Sequence, residues 1–78
     1  MRSPIATPND LGRAVRRARR RHGLRQEDLA LSAGTGMRFI GELERGKPTV
    51  RLDTTLRVLQ VLGIALELDD GRGDDGDA

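Results

Sequence analysis

The chain contains no cysteine, tryptophan or tyrosine, and only one phenylalanine and one histidine. Without cysteine there is neither a disulfide nor a thiolate metal site, and a lone His22 removes the commonest nitrogen ligand as well. No metal or cofactor is expected. Zero cysteine is also compatible with a reducing compartment. A single aromatic ring offers no platform for stacking unpaired bases, which argues against binders of single strands and RNA. No apolar run approaches the roughly 20 residues of a membrane span, and the N-terminus lacks the apolar core of a signal peptide. The expectation is a cytoplasmic protein with no membrane partner. Seventy-eight residues make one domain at most, and a chain this small buries only roughly 60% of its unfolded surface. With disulfides and metals excluded, oligomerisation is the remaining staple.

What the chain does have is charge, unevenly placed. One of its 14 basic residues and five of its 12 acidic ones (Asp69, Asp70, Asp74, Asp75, Asp77) fall in residues 69–78, leaving residues 1–68 with a net charge of +6. A basic body with an acidic tail points to a polyanionic partner, most simply nucleic acid. The Gly/Asp-rich residues 69–78 read as a disordered tail, and residues 1–7 as a flexible arm.

Between these ends the pattern is helical. Thr7 suits the N-cap of a first helix, Pro8 its first position, and Asp10 complements the dipole of its first turn. Leu11, Ala14, Val15 and Ala18 form its inner stripe, with Arg13, Arg16, Arg17 and Arg20 opposite. His22-Gly23 ends it, and Leu24 folds back on the last turn. A second short helix starts near Gln26, with Arg25 a poor cap and Glu27 and Asp28 well placed in the first turn. Residues 32–36 read as a tight turn. A third helix runs from Gly36 or Met37 to Glu44, with Phe39, Ile40 and Leu43 facing inward, and residues 45–49 break it. A fourth begins near Asp53 as cap, carries Leu52, Leu56, Leu59 and Leu62 on one side with Val58 beside them, and ends at Gly63. Ile64-Ala65-Leu66-Glu67-Leu68 then alternates with the period of a strand.

Counting from Gln26 as position one, the fifth residue is Ala30, where two crossing helices leave room only for a small side chain. The ninth is Gly34, in a turn where positive φ is easiest for glycine. Leu29, Ala33, Ile40 and Leu43 take the fourth, eighth, fifteenth and eighteenth positions, all apolar and inward-facing. This is the pattern of two helices joined by a short turn, the second presented to a major groove.

Residues 11–68 resemble the Cro/C1 (Xre-type) helix-turn-helix family, notably in residues 23–30 (GLRQEDLA) and 41–47 (GELERGK). The leucine-rich segment 56–62 followed by an alternating strand resembles, more narrowly, HipB-type antitoxins, small dimeric repressors partnered with HipA-type serine/threonine kinases. The resemblance implies an all-α, lambda-repressor-like domain of four to five helices over residues 8–68. It also implies roles by position. Gln26 would bind a phosphate and buttress the third helix. Met37, Arg38, Gly41 and Glu42 occupy outward positions that resemble base-contacting sites, while Arg45 and Lys47 would approach the phosphate backbone. Arg38 is the strongest base reader, because bidentate pairing of arginine to guanine gives about 1–3 kcal/mol of discrimination. Met37 offers only apolar contact. Glu42 either accepts from cytosine N4 or pairs along the helix with Arg38 or Arg45. Arg19 and Glu44 match a salt-bridged pair of phage repressors, so Arg19 reads as structural. Gly36 and Gly41, two glycines in a nine-residue helix, cost roughly 1 kcal/mol each relative to alanine.

Other features read more plainly. The arginines from Arg16 to Arg21 are a phosphate-binding face, a membrane-surface patch or a solvated face, the membrane reading being disfavoured because the apolar side lacks Trp, Phe or Leu bulk. His22 reads as a helix cap, and Ser32, Thr35, Thr54 and Thr55 have no base beside them to make a nucleophile. No enzyme is expected. The strand at Ile64–Leu68 has no mate in its own chain, and unpaired backbone groups are costly. It is expected to pair with its copy in a second chain, with Leu59, Leu62, Ile64, Leu66 and Leu68 forming a two-fold interface. The alternative is that Ile64, Leu66 and Leu68 simply pack on their own core. The whole predicts a homodimeric repressor of a palindromic double-stranded operator, the autoregulating antitoxin of a HipA-like kinase toxin. A free-standing Xre-type regulator and a protein-interaction module on the same scaffold are the alternatives.

Overall fold

The computed structural model describes residues 2–71. Four helices, α1 (Pro8–Arg21), α2 (Gln26–Ala33), α3 (Met37–Glu44) and α4 (Leu52–Val61), account for all its regular structure among the described residues. None of them is long and apolar enough to cross a membrane.

The start of α1 forms as its residues require. The Asp10 backbone N–H donates to the Thr7 hydroxyl at 3.1 Å, and the Asp10 carboxylate accepts from the Thr7 N–H at 3.1 Å. That reciprocal pair satisfies two otherwise orphaned donors. At the other end His22 is the C-cap, and its Nε2 lies 3.1 Å from the Leu62 carbonyl, the cap residue of α4. The contact requires Nε2 to carry its proton and ties two helix ends together. The poor cap at Arg25 is relieved from inside α2, since the Arg25 N–H donates to the Asp28 carboxylate at 2.8 Å. The turn to α3 closes on Gly34, whose φ of 72° lies in the left-handed region where a Cβ is strained.

Helix α1 packs on α3, α3 on α2 and α2 on α4, around one core of Val15, Ala18, Leu29, Ala30, Ala33, Ile40, Leu43, Val58, Leu59 and Leu62. Leu11, Leu24, Phe39, Val50, Val61 and Ile64 pack at its margin. Gly12 is where α1 crosses α3. A Cβ there would sit 2.5 Å from the Leu43 carbonyl oxygen and 2.6 Å from that of Glu44, so only glycine allows this approach.

Three expectations are corrected. The turn is shorter than residues 32–36, because Ser32 and Ala33 still belong to α2, and Gly36 is the N-cap of α3 rather than an interior position. Helix α4 is capped by Arg51, with Asp53 inside its first turn, and its inner face is Thr54, Thr55, Val58, Leu59 and Leu62. Leu52 and Leu56 point outward, 68% and 44% exposed. Burial of the threonines is tolerated because Thr55 Oγ1 donates to the Arg51 carbonyl at 2.7 Å and Thr54 Oγ1 to Asp53 at 3.3 Å.

The strand is the third correction. Residues 64–70 carry no regular structure and form no strand, and pairing of such a strand across a dimer is not supported. Alternation of side chains is a local property, whereas a strand exists only with a hydrogen-bonded neighbour. Ile64 turns onto the core, and Leu66 and Leu68 are exposed. Most of the acidic tail, residues 72–78, lies outside the described residues.

Candidate nucleic-acid interface

Every residue expected to face a nucleic acid lies on α3 or on a segment that touches it. The scaffold beneath them is a buried ion pair. Arg19 Nε donates to Glu44 Oε2 at 2.6 Å and its Nη2 to Oε1 at 3.1 Å, a two-pronged bond joining α1 to the end of α3. Arg19 Nη1 also donates to the Leu24 carbonyl at 2.8 Å. Gln26, the first residue of α2, completes the cluster by donating from Nε2 to Glu44 Oε1 at 3.1 Å. Burial pushes the Glu44 carboxyl up, but the hydrogen bonds from Arg19 and Gln26 and the nearby charges of Arg19 and Arg16 outweigh it, leaving the group below its ordinary value. The expected structural role of Arg19 is what the geometry displays. Gln26 does buttress α3, through Glu44.

Along the outer side of α3 runs a second chain of charge. Arg38 Nε donates to Glu42 at 3.3 Å, and Lys47 Nζ donates to the other oxygen of the same carboxylate at 3.3 Å. The Lys47 hydrogen bond, ahead of that from Arg38, holds the Glu42 carboxyl below its ordinary value despite some desolvation. Of the pairings open to Glu42, those realised are therefore with Arg38 and Lys47, not Arg45. The Arg38 side chain is 90% exposed. Exposed ion pairs of this kind are weak, so the guanidinium is held ready rather than locked. Met37, one residue earlier, is 54% exposed.

Gly41 behaves differently from the expectation of an outward contact. It is buried, and the atoms over it belong to the exposed Arg45. Among the dimerisation candidates, Leu59 and Leu62 are consumed by the chain's own core at 2% and 4% exposure, Ile64 is half-buried, and Leu66 and Leu68 are open.

Two features of the site were not singled out in the sequence. Gly12 sets how closely α1 can lie against α3, and its only signal is a glycine inside a helix that offers no turn to explain it. Arg57 ties α4 to α2 by donating from Nε to the Ala33 carbonyl at 3.1 Å. Among the described residues no group of three or more histidine or carboxylate side chains has the arrangement to hold a metal ion.

The arrangement can present a helix and its basic flanks to a polyanion, and similarity to known proteins agrees with it. A helix-turn-helix domain family matches residues 10–70. The chain is 47% identical over 68 residues to an uncharacterized HTH-type transcriptional regulator, y4mF, of Sinorhizobium fredii, with 87% of this chain and 90% of that one covered. Among solved structures, a HipB–O4 20mer complex superposes with a TM-score of 0.81 at 27% identity, covering 91% of this chain and all of the other. HipB in a HipA–HipB–O2–O3 complex superposes with a TM-score of 0.82, again at 27% identity, with the same coverage. The chain belongs to the Xre-type helix-turn-helix family and is a DNA-binding transcriptional regulator with a HipB-like fold.

Proposed function

We propose that this regulator is a homodimeric repressor acting as the antitoxin of a HipA-like kinase, and that it represses its own operon. The observation that carries the DNA-reading part is α3 itself. Its first turn projects Met37 and Arg38, its last turn is clamped by Glu44 to Arg19 and Gln26, and Lys47 follows directly. In this reading Arg38 reads guanine in the major groove, Met37 meets a thymine methyl, and Gln26, Arg45 and Lys47 approach the backbone. Glu42 positions Arg38 or accepts from cytosine. Residues 8–68 form the binding unit, with residues 1–7 an arm and 69–78 an acidic tail. The protein works in the cytoplasm, where its DNA is.

The dimer is supported by what the fold leaves uncovered. Leu66 and Leu68 are 53% and 97% exposed, and an open groove lined by Leu56, Leu59, Ile64 and Leu66 lies beside α4. Two copies meeting there present two α3 helices, and the operator is then a palindrome with half-sites about one helical turn apart. The antitoxin assignment rests on the HipA–HipB complex among its structural neighbours. The 47% identical relative, named only as a transcriptional regulator, favours the second reading, a free-standing regulator.

Gel-shift titration on the DNA upstream of the gene tests the proposal. Salt-sensitive binding that depends on both halves of a palindrome is the expected result, and a neighbouring kinase-like reading frame is expected beside the gene. Binding with no sequence preference would refute the repressor, and absence of that neighbour would leave the free-standing regulator in its place.

A further inference from the structure

Gly41 lies in the middle of the helix that faces the groove, where the missing side chain weakens the helix. The structure gives the position a use. Gly41 is buried although it is on the outward side, and a Cβ added there would stand 3.2 Å from Arg45 Nη1 and 3.9 Å from both Cζ and Nη2. The guanidinium of Arg45 therefore lies across the backbone of Gly41, one turn back along α3 from its own Cα. Helical side chains lean toward the N-terminus in this sense, and residues four apart share a face. Glycine supplies the slot into which the Nη1 end of the head group settles.

Arg45 also differs from its basic neighbours in what it holds. Arg38 and Lys47 share the Glu42 carboxylate, whereas the Arg45 side chain has no hydrogen-bond or ion-pair partner among the described residues. Turning Arg45 to a new acceptor breaks no existing bond. Its charge is exposed and displaced from the loop after α3 onto the reading side of the helix itself.

We infer that Gly41 and Arg45 act as one unit, in which the glycine slot delivers the Arg45 guanidinium to a base edge, making Arg45 a second base reader beside Arg38. This rests on the DNA-binding reading above but changes its assignment of Arg45 and the sequence expectation for Gly41. Gly41 touches no base, and Arg45 is more than a phosphate contact. The base recognised is guanine, whose O6 and N7 match a guanidinium in two hydrogen bonds.

The test uses Gly41→Ala, with Arg45→Ala and the double variant. Duplexes selected by the wild-type chain from a random 20-base-pair library serve as probes. Gly41→Ala meets only the flexible end of a side chain and gains helix propensity, so its melting temperature is expected to rise by about 4 °C. At the same time its preference at one guanine position should fall roughly 5- to 100-fold. Arg45→Ala should lose the same preference, and the double variant no more than Arg45→Ala alone. Unchanged preference in Gly41→Ala would overturn the inference. So would a uniform loss of affinity over all sequences with a shallower salt dependence, which marks a phosphate contact. A wild-type chain that selects no duplex would break the DNA-binding reading itself, a different failure.

Discussion

Glu44 accepts three hydrogen bonds from two side chains, and they come from helices on either side of α3. Only 4% of its side chain is exposed, and 11% of that of Arg19. Removing one partner of such a pair strands a charge in the interior, a loss of about 3–5 kcal/mol. Arg19→Met is accordingly expected to unfold the chain, or nearly so, by circular dichroism. The same pair predicts acid sensitivity. The Glu44 carboxyl is depressed in the fold below its usual 4.5, so its contribution is complete above that value and is lost as pH falls through the folded value. Thermal melts between pH 6 and 3 should show the wild type losing stability below about pH 4.5. Glu44→Gln should be less stable at neutral pH and should lose less over that interval. A wild-type melting temperature indifferent to pH over that range would count against the pair. Sequence could anticipate this pair only through family resemblance, because nothing local links residues 25 positions apart.

At the scale of elements, what the sequence made legible was punctuation. Thr7-Pro8, Gly23 and Gly34 mark helix ends through their own φ or their own side-chain bond, and the bounds of α1, α2 and α3 follow from them. Helix α4 lacks such a mark at its start, and Asp53, a good cap by type, is the second residue of the helix, while Arg51, two residues earlier, takes the cap position. Its leucines misled as well. Leu52, Leu56, Leu59 and Leu62 share one stripe, but the core takes the neighbouring stripe through Thr55, Val58, Leu59 and Leu62. Periodicity gives the width of an apolar face, not which edge of it meets another helix. The alternating segment after Gly63 failed for a related reason, since its pairing depends on something outside the local pattern. The crossing of α1 and α3 provides the prediction at this scale. Gly12→Ala forces a methyl against two backbone carbonyls, which cannot rotate away, and should cost about 1–3 kcal/mol or more. A melting temperature equal to wild type would show that the helices can separate without loss.

For the whole molecule, the decisive quantities are charge and copy number. Residues 1–68 carry +6 against an overall +2, so the attraction to DNA belongs to the folded body. Binding should weaken steeply with added salt, by a slope of about −0.9 for each phosphate neutralised. The second is the proposed homodimer. With Leu66 and Leu68 outside the core, removal of residues 64–78 should leave the helical fold largely intact yet shift sedimentation from dimer to monomer. An unchanged dimer would place the interface elsewhere. Both quantities converge on α3, which the account makes the reader of sequence. Arg38→Ala compared with wild type on a library-selected duplex, across a salt series, measures this most directly. The variant is expected to remain folded, keep most of its salt slope and lose discrimination at one guanine by about 1–3 kcal/mol. A variant that binds and discriminates as well as wild type would contradict it.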